Sequence, residues 1–287
     1  KCTYCSIWNR KTKEMSTEEV FNIIDSVSKD CCFIHLSGGE PLLRKDIGAI
    51  ISHIDKQDGI FLTIATNGYY LKEKLDVIKK VNLVVLSLDG PRQLHDSLRG
   101  EGSYDKVIEA LDICKRNNIK AAVNMTLTSR NLDYINDVIV LAGKYSAKVL
   151  FEPILQHELA GKDMQELLLD RRKYQKSLDS IKSKNSIMMS TQCINYLKQY
   201  PSFKRRMKCW AGLSFFLIDV NGDVYPCNNF VDRVDAPNVV GLGTINAIKK
   251  VKSDNHCACG SNIFNELNLV MNLRISAIFK LIDSIIK

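Results

Sequence analysis

Cys2 and Cys5 stand three apart at the start of this 287-residue sequence, with Tyr4 just inside the second. Two thiolates at that spacing can bind zinc, form a redox dithiol, or supply part of an iron–sulfur site. A second set, Cys209, Cys227, Cys257 and Cys259, lies in an otherwise cysteine-poor stretch. Four thiolates suit either Zn²⁺ or an iron–sulfur cluster, and the ligand types alone do not choose between them. Cys31, Cys32, Cys114 and Cys193 have no suitably spaced partner and read as buried small apolar residues.

The elements that must position these thiols follow a regular pattern. Ser16-Thr17-Glu18-Glu19 reads as a capping box, followed by Val20, Phe21, Ile24 and Val27 at helical spacing. Short apolar strands are expected at 32–37, 60–66, 82–90, 120–127 and 147–154. Helices are expected near 45–56, 71–80, 103–117 and 131–144. Alternation at this pitch predicts βαβ units and a parallel sheet, an α/β fold of whole or partial (β/α) barrel type. Such barrels place their chemistry on loops at the C-terminal strand ends. Here those loops read Ser37-Gly38-Gly39-Glu40-Pro41, Thr66-Asn67-Gly68 and Ser87-Leu88-Asp89-Gly90. Paired glycines let backbone groups approach a ligand closely, because no Cβ intervenes.

Beyond residue 155 the character changes. Residues 156–208 read as a charged helical connector without strand candidates. Residues 214–227 then alternate around Asn221-Gly222 as a β-hairpin. A hairpin returns the chain on itself, so Cys209 and Cys227 can meet, with Cys257-Ala258-Cys259 able to supply further ligands. The expected units are 1–155, 156–208 and 209–287.

The first unit resembles the radical S-adenosylmethionine (SAM) enzymes. Their CxxxCxxC loop carries a [4Fe–4S] cluster, and a GGEP-type motif follows the next strand. Cys2-Thr3-Tyr4-Cys5 matches the last half of the first motif, and Gly38-Gly39-Glu40-Pro41 matches the second without mismatch. The resemblance implies a partial (β/α)₆ barrel whose first strand and first motif cysteine lie before Lys1, the cysteine three residues ahead of it. It also implies that SAM chelates an open iron and is cleaved to a 5′-deoxyadenosyl radical that takes hydrogen from a substrate. On this pattern Gly38, Gly39, Glu40 and Pro41 receive the methionyl amino group and Tyr4 lies against the adenine. Asn67, Ser87 and Asp89 make polar contacts with SAM. Arg99 either meets the SAM carboxylate or serves as a solvated or capping side chain. Asn124 and Thr126, with residues 150–154, complete the ribose and adenine surroundings.

The second cysteine set, read as CWAG…IDVNGDVYPC…GLGTI…CAC, resembles the auxiliary-cluster extension of the SPASM and twitch subfamilies. With Cys209, Cys227, Cys257 and Cys259 as candidate ligands, that implies one auxiliary [4Fe–4S] cluster, serving as electron relay or substrate holder. Cys257 and Cys259 are tightly spaced, so one of them need not ligate. The resemblance further implies a low-potential electron donor such as ferredoxin or flavodoxin. The expected substrate is a small molecule or a lipid or sugar metabolite. Alternatives are a peptide maturase, an RNA-modifying enzyme, and a non-catalytic zinc or iron–sulfur module.

Composition narrows the field. A chain with 45% hydrophobic residues buries a large core without disulfides. The ten clustered cysteines favour a reduced, cytoplasmic setting over a secreted disulfide framework. The net charge of +8 is mild, and apart from KRRMK at 204–208 no basic run interleaves with aromatics, so no nucleic-acid partner is expected. No signal peptide is evident, and no stretch approaches the roughly 20 apolar residues of a membrane span. The tail places Met271, Ile275, Ile278, Ile282 and Ile285 at helical spacing. Packing against the protein is the first reading of that stripe, and peripheral membrane contact or a dimer helix the second.

Overall fold

The computed structural model describes residues 1–155, 164–181, 184–204, 207–251 and 261–273. Five strands, β1 (Phe33–Leu36), β2 (Phe61–Thr66), β3 (Leu83–Ser87), β4 (Ala121–Leu127) and β5 (Lys148–Pro153), form one sheet in chain order. Every neighbouring pair is parallel. Parallel neighbours require crossover connections. These are supplied by α2 (Ile47–Asp55), α3 (Leu75–Ile78), α4 (Arg92–Arg99), α5 (Ser103–Arg116) and α6 (Ile135–Lys144), while α1 (Thr17–Val27) leads into β1.

The sheet is buried on both faces, which explains its continuous apolar strands. On the outer face Ile64, Val84, Leu86, Val123, Met125, Val149 and Phe151 pack with the helices in the main core. On the inner face Leu83, Val85 and Ala122 form a separate cluster with Phe61, Ala65, Leu150 and Met188. Toward the C-terminal strand ends the inner face turns polar, with Ser87, Asn124, Thr126 and Glu152. The site therefore opens at that end of the barrel.

Local expectations fared unevenly. The capping box is complete: Glu19 N–H donates to Ser16 Oγ at 3.2 Å and Ser16 N–H to Glu19 Oε2 at 2.6 Å. The helix expected over 71–80 shrinks to α3, because Leu71 is fully buried and residues 68–74 turn to place it. The helix expected from 131 begins as a 3₁₀ turn, Leu132–Tyr134, since the Asn131 side chain is engaged elsewhere. Helix α4 had no sequence signal; its sequence RQLHDSLR buries only His95 and Leu98. Cys114 and Cys193 are buried as expected, but Cys31 is half-buried and Cys32 exposed. Both precede β1 at its N-terminal end, outside the covered part of the strand.

The connector contains α7 (Met164–Leu167), α8 (Arg171–Asp179) and α9 (Thr191–Leu197). Met164, Leu167, Tyr174, Leu178 and Leu197 join the same core as the outer face of the barrel. Ile187 forms an isolated parallel bridge with Val149 at the β5 edge, a strand-like contact absent from the sequence reading. The hairpin consists of β6 (Leu217–Ile218) and β7 (Val224–Tyr225), antiparallel as expected. It is followed by α10 (Val239–Leu242), α11 (Thr244–Lys250) and α12 (Asn262–Met271). Val224, Val239 and Ala247 make a small core against Met15 and Ile23, while Leu269 of α12 belongs to the main core. Among the described residues no helix is long and apolar enough to cross a membrane. Residues 274–287, with the apolar stripe from Ile275 onward, lie outside the described residues, as do Arg205 and Arg206.

Candidate active site at the barrel mouth

Cys2 and Cys5 sit on a tight turn in which Cys5 N–H donates to the Cys2 carbonyl at 3.3 Å. Both thiols are free and half-buried. The turn is pinned to the end of α4 by Thr3 N–H, which donates to the Leu98 carbonyl at 2.9 Å. Trp8 Nε1 closes its far side on the Cys5 carbonyl at 2.8 Å. Burial raises the Cys5 thiol, so a soft metal is what would draw off its proton.

Asp89 organises the mouth. It is 0% exposed and accepts from four directions. Tyr4 OH donates to Oδ2 at 2.8 Å, and Arg99 donates through Nε to Oδ2 at 2.5 Å and Nη2 to Oδ1 at 3.2 Å. Thr126 N–H completes Oδ1 at 3.0 Å. The Asp89 main chain is braced too, its N–H donating to His95 Nδ1 at 3.1 Å and its carbonyl accepting from Asn131 Nδ2 at 3.0 Å. Burial lowers His95 to about 4, so the ring is neutral with its proton on Nε2.

Arg99 stands between Asp89 and the cysteine turn. Its Nη1 lies 3.8 Å from Cys2 Sγ, and its guanidinium sits 5.5 Å from the Tyr4 ring centroid. Burial opposes its charge, but Asp89 holds it above its ordinary pKa. The Tyr4 phenol is raised well above its usual range by burial, against the pull of Arg99, and stays a donor. The solvated reading of Arg99 is therefore corrected: the side chain is largely covered and ion-paired to the buried Asp89. The direct SAM contact expected of Asp89 is also displaced, because protein donors fill its carboxylate.

The Gly38–Pro41 loop is braced in a similar way. Glu40 Oε1 accepts from Thr66 Oγ1 at 2.7 Å and Leu42 N–H at 3.2 Å, and Oε2 from Asn67 N–H at 2.8 Å. The Glu40 carboxylate thus ties the first strand-end loop to the second, and Pro41 starts a 3₁₀ turn. A Cβ at Gly38 or Gly39 would meet nothing within 4 Å, so bare backbone faces open space there. The Asn67 side chain caps its own loop, accepting from Tyr69 N–H at 3.0 Å.

On the inner wall, Ser87 pairs in register with Asn124, and Thr126 with Glu152. The Glu152 carboxylate accepts from Asn124 and Ser261. His35 Nδ1 is 2.7 Å from Thr63 Oγ1, and burial lowers this imidazole to about 4. Sequence reading did not single out His35, and took Glu152 only as one of residues 150–154 expected around SAM. Their one signal is a polar residue at an inward position of an otherwise apolar strand.

The second cysteine set is brought together in part. Cys209 and Cys227 are buried in one cluster with Ala211, flanked by Phe215 and Phe230. Asn268 of α12 clips this turn, its Nδ2 lying 3.6 Å from Cys209 Sγ and its Oδ1 accepting from Trp210 N–H at 2.7 Å. Cys257 and Cys259 lie outside the described residues. Among the described residues no three His, Cys, Asp or Glu side chains converge as a metal site. Each described pair fits part of a thiolate ligand set. The module docks on the segment after the cysteine turn: Arg10 Nη2 binds Asp219 at 2.7 Å and Met15 N–H donates to the Val220 carbonyl at 2.7 Å.

Residues 1–142 match the family model described as the radical SAM superfamily. The mycofactocin maturase MftC of Mycolicibacterium smegmatis is 27% identical over 256 residues, 84% of this chain and 64% of that protein. The Fe-coproporphyrin III synthase of Methanosarcina barkeri is 32% identical over 140 residues, 46% of this chain and 35% of that one. The chain thus spans under two thirds of the length of both relatives. Among solved structures, anSMEcpe with bound AdoMet and the Kp18Cys peptide superposes with a TM-score of 0.67 at 21% identity. That match covers 87% of this chain and 76% of the other.

Proposed function

Since this chain belongs to the radical SAM superfamily through its N-terminal domain, we propose that it is an enzyme that cleaves SAM reductively at the barrel mouth and abstracts hydrogen from a substrate held in the barrel. The observation that carries this reading is that the Cys2–Cys5 turn, held beside Asp89 after β3, and the open Gly38–Gly39 backbone after β1 both lie at the C-terminal ends of one parallel sheet. When bound, a [4Fe–4S] cluster supplies the low-potential electron that splits SAM to methionine and a 5′-deoxyadenosyl radical. The chain's own part is placement. Cys2 and Cys5 would hold the cluster, and Gly38 and Gly39 would offer backbone groups to the methionyl end. Glu40 fixes that loop to Asn67 rather than touching the ligand. Asp89 sets Tyr4 and Arg99 beside the cysteine turn, and Ser87, Asn124 and Thr126 form the polar wall.

Within this chemistry we favour a maturase. The likeness to MftC runs through the C-terminal module, whereas that to the porphyrin enzyme spans only 140 residues. Cys209 and Cys227, with at least one of Cys257 and Cys259, would hold an auxiliary cluster there. The test is anaerobic reconstitution with iron and sulfide, then reduction with SAM present. Release of 5′-deoxyadenosine is the expected result. Its absence from a fully reconstituted protein contradicts the proposal.

A further inference from the structure

Three carboxylates stand at the strand ends of the barrel, and the fold consumes two of them. Glu40 is filled by Thr66, Leu42 and Asn67, and Asp89 by Tyr4, Arg99 and Thr126. Glu152 differs. It follows Phe151, which is fully buried on the outer face, so alternation along the strand turns Glu152 inward. Its register partner Thr126 and its donor Asn124 share that inner face. Asn124 and Ser261 are both neutral, and no Lys, Arg or His pairs with Glu152 among the described residues. A carboxylate offers about four acceptor positions, so among the described residues two neutral donors leave roughly half its capacity open. Burial raises its pKa, as expected of a charge without a counter-ion. A carboxylate in that state is costly to keep unless something arrives to pair with it.

We propose that Glu152 is the substrate anchor, receiving a cationic nitrogen, ammonium or guanidinium, from the molecule that enters the barrel. This rests on the radical SAM reading for where substrate sits. A substrate hydroxyl would fill a lone pair but leave the charge uncompensated. SAM's own ammonium belongs elsewhere in that reading, at the Gly38–Pro41 loop. That loop follows β1, at the other edge of the sheet, roughly 15–20 Å away along it at ordinary strand spacing.

The experiment uses the reconstituted protein and two probes, n-butylammonium and 1-butanol, followed by ligand-observed NMR with saturating SAM present. Wild type is expected to prefer the ammonium by about tenfold, the scale of one hydrogen bond to a charged group. Glu152→Gln keeps an acceptor oxygen for Asn124 and Ser261 but removes the charge, and is expected to lose that preference. Glu152→Asp keeps the charge and retains it. Equal binding of the probes to wild type, a preference that survives Glu152→Gln, or displacement of the ammonium by SAM would each overturn the anchor. The two failures separate cleanly. Missing 5′-deoxyadenosine defeats the radical SAM reading, whereas a missing ammonium preference with 5′-deoxyadenosine present defeats the anchor alone.

Discussion

The two described thiol pairs occupy opposite kinds of surroundings. Cys2 and Cys5 are half-buried on a turn at the barrel mouth, with a guanidinium 3.8 Å from Cys2 Sγ and open backbone across the opening. Cys209 and Cys227 are 4% and 2% exposed, packed against Ala211, Phe215 and Phe230. Access suits a pair that meets ligands, while apolar enclosure suits a closed, inert site. Under the proposed function, the difference suits SAM chemistry at the first pair and electron storage or transfer at the second. The two are mechanically joined, since Arg10 and Met15, just past the first pair, hold the hairpin turn that leads to Cys227.

The comparison can be broken in several ways. The largest expected effect is at the first pair: Cys2→Ala or Cys5→Ala should abolish 5′-deoxyadenosine release in the reductive assay. Cys209→Ala together with Cys227→Ala should instead lower the iron content of the reconstituted protein by about four atoms, one cluster's worth. If the Cys209/Cys227 double variant instead abolished 5′-deoxyadenosine release as the Cys2 and Cys5 variants do, the division of roles would fail. Arg99→Ala leaves Asp89 buried without its counter-charge, and should cost about 3–5 kcal/mol in denaturant unfolding. A loss under 1 kcal/mol would show that the Asp89 assembly does not hold the mouth together.

Two glycines sharpen the contrast at smaller scale. Gly68 at the mouth has φ +84°, and a Cβ there would lie 3.0 Å from the rigid Lys106 carbonyl. Gly222 in the hairpin has φ +90°, but its close neighbours are the side chains of Val239, Met15 and Val240. Gly68→Ala is therefore expected to cost about 1–3 kcal/mol, and Gly222→Ala less, since side chains give way more readily than backbone. Ser16→Ala, which removes the cap of α1, should cost about 1 kcal/mol. Thermal or denaturant melts decide each.

The five strands were legible because each is a largely apolar run ended by Gly, Asp or Pro, or for β4 by the polar Thr128-Ser129, a signal that is local. The cysteine turn and the Gly38–Pro41 loop were legible as motifs. Asp89 was singled out for contact with SAM, whereas its carboxylate is filled by four donors from Tyr4, Arg99 and Thr126, which no local spacing reveals. His35 stayed hidden, and Glu152 was not distinguished within 150–154, because single polar residues in strands carry no spacing. Helix α4 and the Ile187 bridge were missed since one is mostly polar and the other a single contact at a sheet edge.

The account turns on SAM meeting the first pair and not the second. Electron paramagnetic resonance of the reduced, reconstituted protein reads this directly. Adding SAM is expected to shift one cluster signal, the one lost in Cys2→Ala, and to leave the other unchanged. A SAM-induced shift that persists in Cys2→Ala, or one confined to the signal lost in Cys209→Ala, would contradict it.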